Sequence, residues 1–227
     1  MTEMAHLRIV VGVPSGGSWT ADFGTSLVSL VATFANKAIP GYSSHELRVV
    51  NVKGSILPKQ RLEILKAAKA CEATHLLFVD SDQTFPPDLL HRMVARGKDI
   101  VACNIATKQI PANTTARKKS ADPQGEAVYT DEDSVGLERV WRVGTGVMLL
   151  SAKAYNQIPH GAFAMTYKPE VDAYQGEDWN MCEALEKAGV PIYVDHDLSK
   201  RIGHVGTFKY THEVVGQIVR EEIKDAA

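Results

Sequence analysis

The chain alternates short runs of consecutive apolar residues with longer stretches in which apolar positions recur every three or four residues. The first kind predicts buried strand and the second amphipathic helix. Leu7–Val13 (LRIVVGV) is the first strand, interrupted only by Arg8. From Asp22 to Lys37, Phe23, Leu27, Leu30, Val31 and Phe34 recur at helical spacing, and Pro40-Gly41 ends that helix. Glu46–Val52 is a second strand. Pro58 suits the first turn of a helix running to Cys71, with Leu62, Leu65 and Ala68 along successive turns. His75–Val79 (HLLFV) is continuous and apolar, as expected of a parallel strand covered on both faces. Pro86-Pro87 opens a helix to Arg96, and Asp99–Cys103 is a fourth strand.

From Ile105 to Gly125 the periodicity dissolves around Pro111, Asn113 and Pro123, which predicts a long functional loop. Leu137–Ser151 resumes as strand, broken by Gly144-Thr145-Gly146. Glu177 to Ala188 is a helix that stops at Gly189, Pro191–Val194 is a short strand, and Tyr210 to Lys224 is a final helix. No internal repeat appears. Strands alternating with helices predict an α/β class, with a mostly parallel central sheet flanked by helices in a single domain spanning 1–227.

Composition narrows the class. The 227 residues are 44% apolar and 23% charged, which is ordinary for a globular chain and excludes disorder. The net charge of −2 gives no global drive toward nucleic acid or anionic lipid, although a local basic patch stays open. No apolar run approaches the roughly 18–20 residues of a membrane helix, so no membrane partner is expected. Glu3 before the first apolar stretch, and a Pro-Ser-Gly-Gly turn after it, argue against a cleaved leader. Cys71, Cys103 and Cys182 are widely spaced and odd in number; they read as free thiols in a reducing, cytoplasmic compartment, with no zinc spacing. No pattern specifies an oligomeric state.

The sharpest chemical signal is Asp80-Ser81-Asp82, directly after the apolar strand. On extended backbone, residues i and i+2 point to the same side, so Asp80 and Asp82 would share one. Two such carboxylates repel unless a cation sits between them, and oxygen ligands suit Mg²⁺ or Mn²⁺. The plain alternative is a polar turn that caps the next helix. Farther on, Gly176-Glu177-Asp178-Trp179 stands at a helix start, where acids are also favoured by the helix dipole alone. A carboxylate there can take a proton from an attacking hydroxyl, and the Trp can stack on a sugar or base. In Ile202-Gly203-His204-Val205-Gly206, glycines flank a His that could complete a mixed oxygen and nitrogen ligand set.

In this order, LLFVDSDQTF, VGTGVMLLS, GEDWNMCEALEKAG and IGHVG resemble a nucleotide-sugar-dependent glycosyltransferase of the GT-A fold. The likeness is strongest to small family 2-like members, including ones encoded by bacteriophages, and covers Leu7 to Gly206. It implies a nucleotide-sugar half over about 1–104 and an acceptor half over about 105–227. It further implies that Val13, Pro14 and Ser15 hold the nucleotide base and that Arg61 contacts nucleotide or diphosphate. Asp80, Ser81 and Asp82 would bind the donor, with Asp80, Asp82 and His204 as metal ligands. Gly144, Thr145 and Gly146 would border the sugar and acceptor. Asp178 would serve as general base of an inverting transfer, with Glu177 as the fallback. The implied cofactor is Mn²⁺ or Mg²⁺, and the implied donor a uridine or guanosine diphosphate sugar. The acceptor stays open. Lys108, Arg117, Lys118 and Lys119 in the long loop could track the phosphates of a nucleic acid with a hydroxylated base, or form an ordinary solvated charge run. Trp141, Tyr174 and Trp179 could stack on a base or a sugar.

Two rival readings remain. VDSDQT also matches the opening of haloacid-dehalogenase-like phosphatases, with Asp80 as nucleophile and Asp82 as general acid. That family needs a later Gly-Asp-x-x-x-Asp, and Gly176-Glu177-Asp178 has Glu where the Asp is wanted. A non-catalytic nucleotide-sugar binding module would keep the fold without needing Asp178. A nucleotidyltransferase is disfavoured because GVPSGGSW, after the first strand, has no Lys or Arg for a triphosphate.

Overall fold

The strand marked most strongly by its apolar run, β1 (Ala5–Ser15), is buried along most of its length because helices cover both of its faces. The computed structural model describes residues 5–109 and 112–206. After β1 come α1 (Ala21–Asn36), β2 (Tyr42–Lys53), α2 (Leu57–Ala70), β3 (His75–Val79), the two-residue β4 (Gln83–Thr84), α3 (Leu89–Ala95) and β5 (Ile100–Ala102). The chain continues through β6 (Arg117–Lys118), β7 (Glu126–Ala127), β8 (Leu137–Val140), β9 (Val147–Ser151), α4 (Ala152–Tyr155), β10 (Thr166–Lys168) and β11 (Ala173–Gln175). It then forms α5 (Glu177–Lys187), β12 (Ile192–Asp195), α6 (His196–Ser199) and β13 (Gly203–His204). The predicted final helix, Tyr210 to Lys224, lies outside the described residues.

Seven strands form the central sheet in the order β2-β1-β3-β9-β5-β12-β8. The strands β2, β1, β3, β5 and β12 run one way, while β9 and β8 run against their neighbours. The sheet is therefore mostly parallel, as the alternation of elements predicts. Side chains alternate between its faces. On one face Val10, Leu76, Phe78 and Met148 pack against Ile64 and Leu65 of α2 and Met181 and Leu185 of α5. On the other, Ile9, Val11, Leu77 and Leu149 pack against Phe23, Leu27 and Leu30 of α1 and Leu89 and Met93 of α3.

The stretch Leu137–Ser151 is two strands, separated across the predicted break. Gly144-Thr145-Gly146 is part of the connection that carries the chain from the sheet edge, β8, across β12 and β5 to the sheet interior, β9. The sequence marks the break but does not reveal that the two halves pair with different neighbours. No helix among the described residues is long and apolar enough to cross a membrane. All three cysteines are free, with Cys103 and Cys182 buried.

Helix α2 lies very close to β1. A Cβ on Gly12 would overlap Ile64 Cγ2 and stand 3.3 Å from Ile64 Cβ. Ile64 is β-branched and held in a helix, so it has little rotameric freedom to yield. Gly12→Ala should therefore lower stability by about 1–3 kcal/mol, read as a drop in the urea midpoint with unchanged slope. An unchanged midpoint would show that the helix and strand can separate freely.

Candidate active site

Strand β3 ends at Val79, and the chain turns over Asp80, Ser81 and Asp82 before β4. The Gln83 amide closes the turn by donating to the Asp80 carbonyl at 3.1 Å. This turn corrects the expectation that both carboxylates share one side. The i, i+2 rule holds on extended backbone, and here the backbone curls, so Asp80 and Asp82 face different partners.

Asp82 faces His204. The two-residue strand β13 pairs antiparallel with β4, setting His204 opposite Gln83, and the Val205 amide donates to the Asp82 carbonyl at 2.8 Å. The His204 Nε2 stands 3.6 Å from Asp82 Oδ1, an oxygen that is buried without a hydrogen-bond partner. The ring is oriented from its other side by Nδ1, which donates to the Ala106 carbonyl at 2.8 Å. Lys108 Nζ pairs with Asp82 Oδ2. Burial alone would raise the Asp82 carboxyl, but the adjoining His204 and Lys108 hold it down at about 2. The same carboxylate raises the His204 imidazole above its usual value.

Asp80 turns inward instead. Its Oδ1 accepts from Arg61 Nη2 at 3.1 Å, and Arg61 Nε donates to Glu177 Oε1 at 3.2 Å. The Arg61 guanidinium is almost fully buried and lies 5.6 Å over the Phe78 ring. Burial opposes its charge, yet Asp80, Glu177 and Asp178 together raise its pKa, so it stays a cation. Arg61 therefore ties the end of β3 to the start of α5, a role its place on a helix did not suggest. Its Nη1 is buried without a partner.

At the start of α5, Glu177 is buried and committed to Arg61, whereas Asp178 lines an open cavity of about 450 Å³. Burial, reinforced by the charge of Glu177, raises the Asp178 carboxyl to about 6. Its Oδ1 accepts from the Trp179 amide at 2.7 Å. Trp179, Tyr174, Thr115, Gln175 and Arg117 line the same cavity. The Arg142 guanidinium stacks between Trp141, at 3.4 Å, and Trp179, at 5.0 Å, which stiffens that wall.

A second cavity, of about 390 Å³, is bordered by Ser18, Trp19, Thr20, Ser81, Asp82 and Lys108. The Thr20 amide donates to the Ser81 carbonyl at 3.3 Å, while the Thr20 side chain caps α1. Val13, Pro14 and Ser15 do not line it. β1 runs on to Ser15, all three residues are buried, and Ser15 bonds Asn51 at 3.1 Å. The exposed segment that could meet a base lies a few residues later, and the readable signal for it is Gly16-Gly17 followed by Trp19.

Gly144, Thr145 and Gly146 are also buried and line neither cavity. They act from beneath: the Gly146 carbonyl accepts from the Asp80 amide at 2.9 Å, and a Cβ on Gly146 would stand 3.2 Å from Asp80 Oδ2. Each cation of the long loop has a partner. Lys108 pairs with Asp82, Lys118 with Glu138 and Lys119 with Glu186, while Arg117 donates to the carbonyls of Thr114 and Ala116. The sequence pattern also missed the β10–β11 hairpin, whose Tyr174 is widely exposed beside the larger cavity.

Among the described residues, no group of three or more His, Cys, Asp or Glu side chains is gathered as a metal cluster. The structure brings Asp82 and His204 together and gives Asp80 to Arg61. The two that meet still suit a divalent ion. An orphaned carboxylate oxygen faces an imidazole nitrogen whose lone pair is free in the neutral tautomer, because the other ring nitrogen carries the donated proton. Mg²⁺ and Mn²⁺ commonly take one or two protein ligands and fill the rest with water and phosphate oxygens.

The order and direction of the strands define an α/β fold consistent with the GT-A type. No protein-family model matches the chain, and no curated protein resembles it significantly. Among solved structures, A197 from STIV superposes with a TM-score of 0.53 at 16% identity, covering 91% of this chain and 100% of that one. At that identity the likeness establishes the architecture alone.

Proposed function

We propose that the protein is a metal-dependent glycosyltransferase that moves a sugar from a nucleoside-diphosphate sugar to a hydroxyl acceptor with inversion. The observation that carries this reading is the pairing of two cavities through one buried cation. Arg61 ties Asp80, the residue before Ser81 in the wall of the smaller cavity, to Glu177, the residue before Asp178 in the wall of the larger one.

On this reading the smaller cavity takes the nucleotide, with Trp19 as a stacking surface for the base. Asp82 and His204 hold the divalent ion, which when bound offsets the negative charge that grows on the diphosphate leaving group. Asp80 is fixed by Arg61 directly behind Ser81 in the smaller cavity's wall, from where a carboxylate favours a developing oxocarbenium ion. The acceptor enters the larger cavity against Trp179 and Tyr174. Asp178 takes the proton from its hydroxyl as the oxygen attacks the anomeric carbon. Glu177 is paired with Arg61 and does not line the larger cavity, which favours Asp178 over it as the base.

The phosphatase reading is weaker, because Arg61 clamps Asp80 Oδ1 and Lys108 sits on Asp82 rather than beside a nucleophile. Nothing in the pairing of the loop lysines favours a nucleic-acid acceptor over a glycan. A reducing compartment, in which three free thiols persist, is the expected setting.

Incubation with a panel of nucleotide sugars and Mn²⁺ should release nucleoside diphosphate from one donor by slow hydrolysis. Release from none, with or without metal, would sink the reading. Asp82→Ala should remove metal-dependent donor binding in calorimetry, a loss of roughly tenfold to a hundredfold in affinity. Unaltered Mn²⁺-dependent affinity would relocate the ion elsewhere.

A further inference from the structure

The proposed transfer leaves Lys108 without a task, although its ammonium pairs with the one carboxylate assigned to the ion. The geometry around it is specific. Lys108 Nζ covers Asp82 Oδ2, while Oδ1 of the same carboxylate turns toward His204. Two residues earlier, the Ala106 carbonyl orients the His204 ring. One short segment therefore supports the imidazole and neutralises the carboxylate together. Its backbone is pinned by a bridge between Ala106 and Thr114, and the Thr107 amide donates to the Asn113 carbonyl at 2.8 Å. The lysine stem runs past Gly206, where a Cβ would lie 3.4 Å from Lys108 Cδ, and its head borders the smaller cavity. Among the described residues, Lys108 is the only Lys or Arg lining that cavity.

An ammonium and a divalent ion cannot both hold one carboxylate without repelling each other. A fixed backbone with a long, 37% exposed side chain allows the head alone to swing. The anion within its reach in that cavity would be the diphosphate of the donor. We infer that Lys108 is an exchangeable counter-ion: it neutralises Asp82 in the donor-free protein and passes to the diphosphate when the divalent ion takes the carboxylate. This inference rests on the transferase reading, and it adds a binding residue with two positions. Ion and nucleotide are then coupled, since each one's arrival favours the lysine position that the other requires.

Titration of Mn²⁺ into nucleotide-free wild type, Lys108→Gln and Lys108→Arg, followed by electron paramagnetic resonance of the free ion, tests this directly. The Gln variant should bind Mn²⁺ roughly tenfold more tightly, because no ammonium has to be displaced, while the Arg variant should stay near wild type. Calorimetry with uridine and guanosine diphosphate on the Mn²⁺-loaded proteins should then show the Gln variant binding the preferred nucleotide roughly tenfold or more weakly. Equal or weaker Mn²⁺ affinity in the Gln variant overturns the exchange. If wild type still binds nucleotide in an Mn²⁺-dependent way, the transferase reading survives that result. If wild type binds neither Mn²⁺ nor either nucleotide, both fall.

Discussion

Asp178→Asn is expected to lower the rate of sugar transfer by roughly 10²–10⁴-fold while leaving nucleotide affinity within about twofold. The side chain lines the larger cavity and not the smaller one, so the loss belongs to the acceptor step. The carboxyl titrates at about 6 because burial and Glu177 both disfavour its charge. Only the ionised form can accept a proton. Turnover of wild type should therefore rise about tenfold per pH unit below 6 and level off above it. A profile flat from pH 5 to pH 8, or an Asn variant with full activity, would remove Asp178 from the mechanism.

The same substitution carries a stability signature of opposite sign. A carboxyl raised from 3.8 to about 6 by folding binds its proton more tightly in the native state. Its contribution is fully favourable below the unfolded value and is lost as the pH climbs through the folded one. At pH 8 wild type holds an unfavourable buried charge that Asn lacks. The Asn variant should be more stable there by about 1–3 kcal/mol, and the gap should close as the pH falls toward 4. Calorimetric melts at both pH values would show it. A variant that melts lower at pH 8 would mean that the ionised carboxylate is needed for packing.

Replacing Arg61 by Met should be the most damaging change to the fold outside the hydrophobic core. The side chain is 2% exposed and holds Asp80 and Glu177 from two distant segments. Met fills much of the volume but leaves those carboxylates and Asp178 without their cation. Removal of one partner from a buried ion pair costs about 3–5 kcal/mol. The orphaned acids would then take up protons, and a native state that binds extra protons gains stability as the pH falls. The cost at pH 5 should thus be clearly smaller than at pH 8 in urea titrations. Equal costs at both pH values would show that Arg61 acts through packing on Phe78 rather than through charge.

Asp178 and Arg61 also mark how far the sequence reaches. The β3 run HLLFV begins and ends where its pattern predicts, because a strand buried on both faces must be apolar throughout. Asp82, His204 and Asp178 stand out in the sequence as polar groups at element ends, a pattern that a cap or a solvated turn also produces, and only the fold shows that Asp82 lies beside His204. Arg61 was visible as a residue but not in its role, since a helical arginine ordinarily lies in solvent and only the packed structure shows it facing inward. The shared side expected of Asp80 and Asp82 failed at a single turn that no periodicity records. The pairing of Gly203–His204 with Gln83–Thr84 joins two-residue segments far apart in the chain, and such contacts leave no local pattern.

The late arrival of β9 has a consequence for biogenesis. This strand lies between β3 and β5, yet it is synthesised well after both. A nascent chain emerging from the ribosome through Asn104 carries the β2-β1-β3 sheet and a lone β5 strand, with no direct seam between them. Each must keep a sticky margin unpaired until the intervening strand is delivered. Sealing of the molecule is therefore deferred to its second half, and early truncation products are natural candidates for chaperone capture.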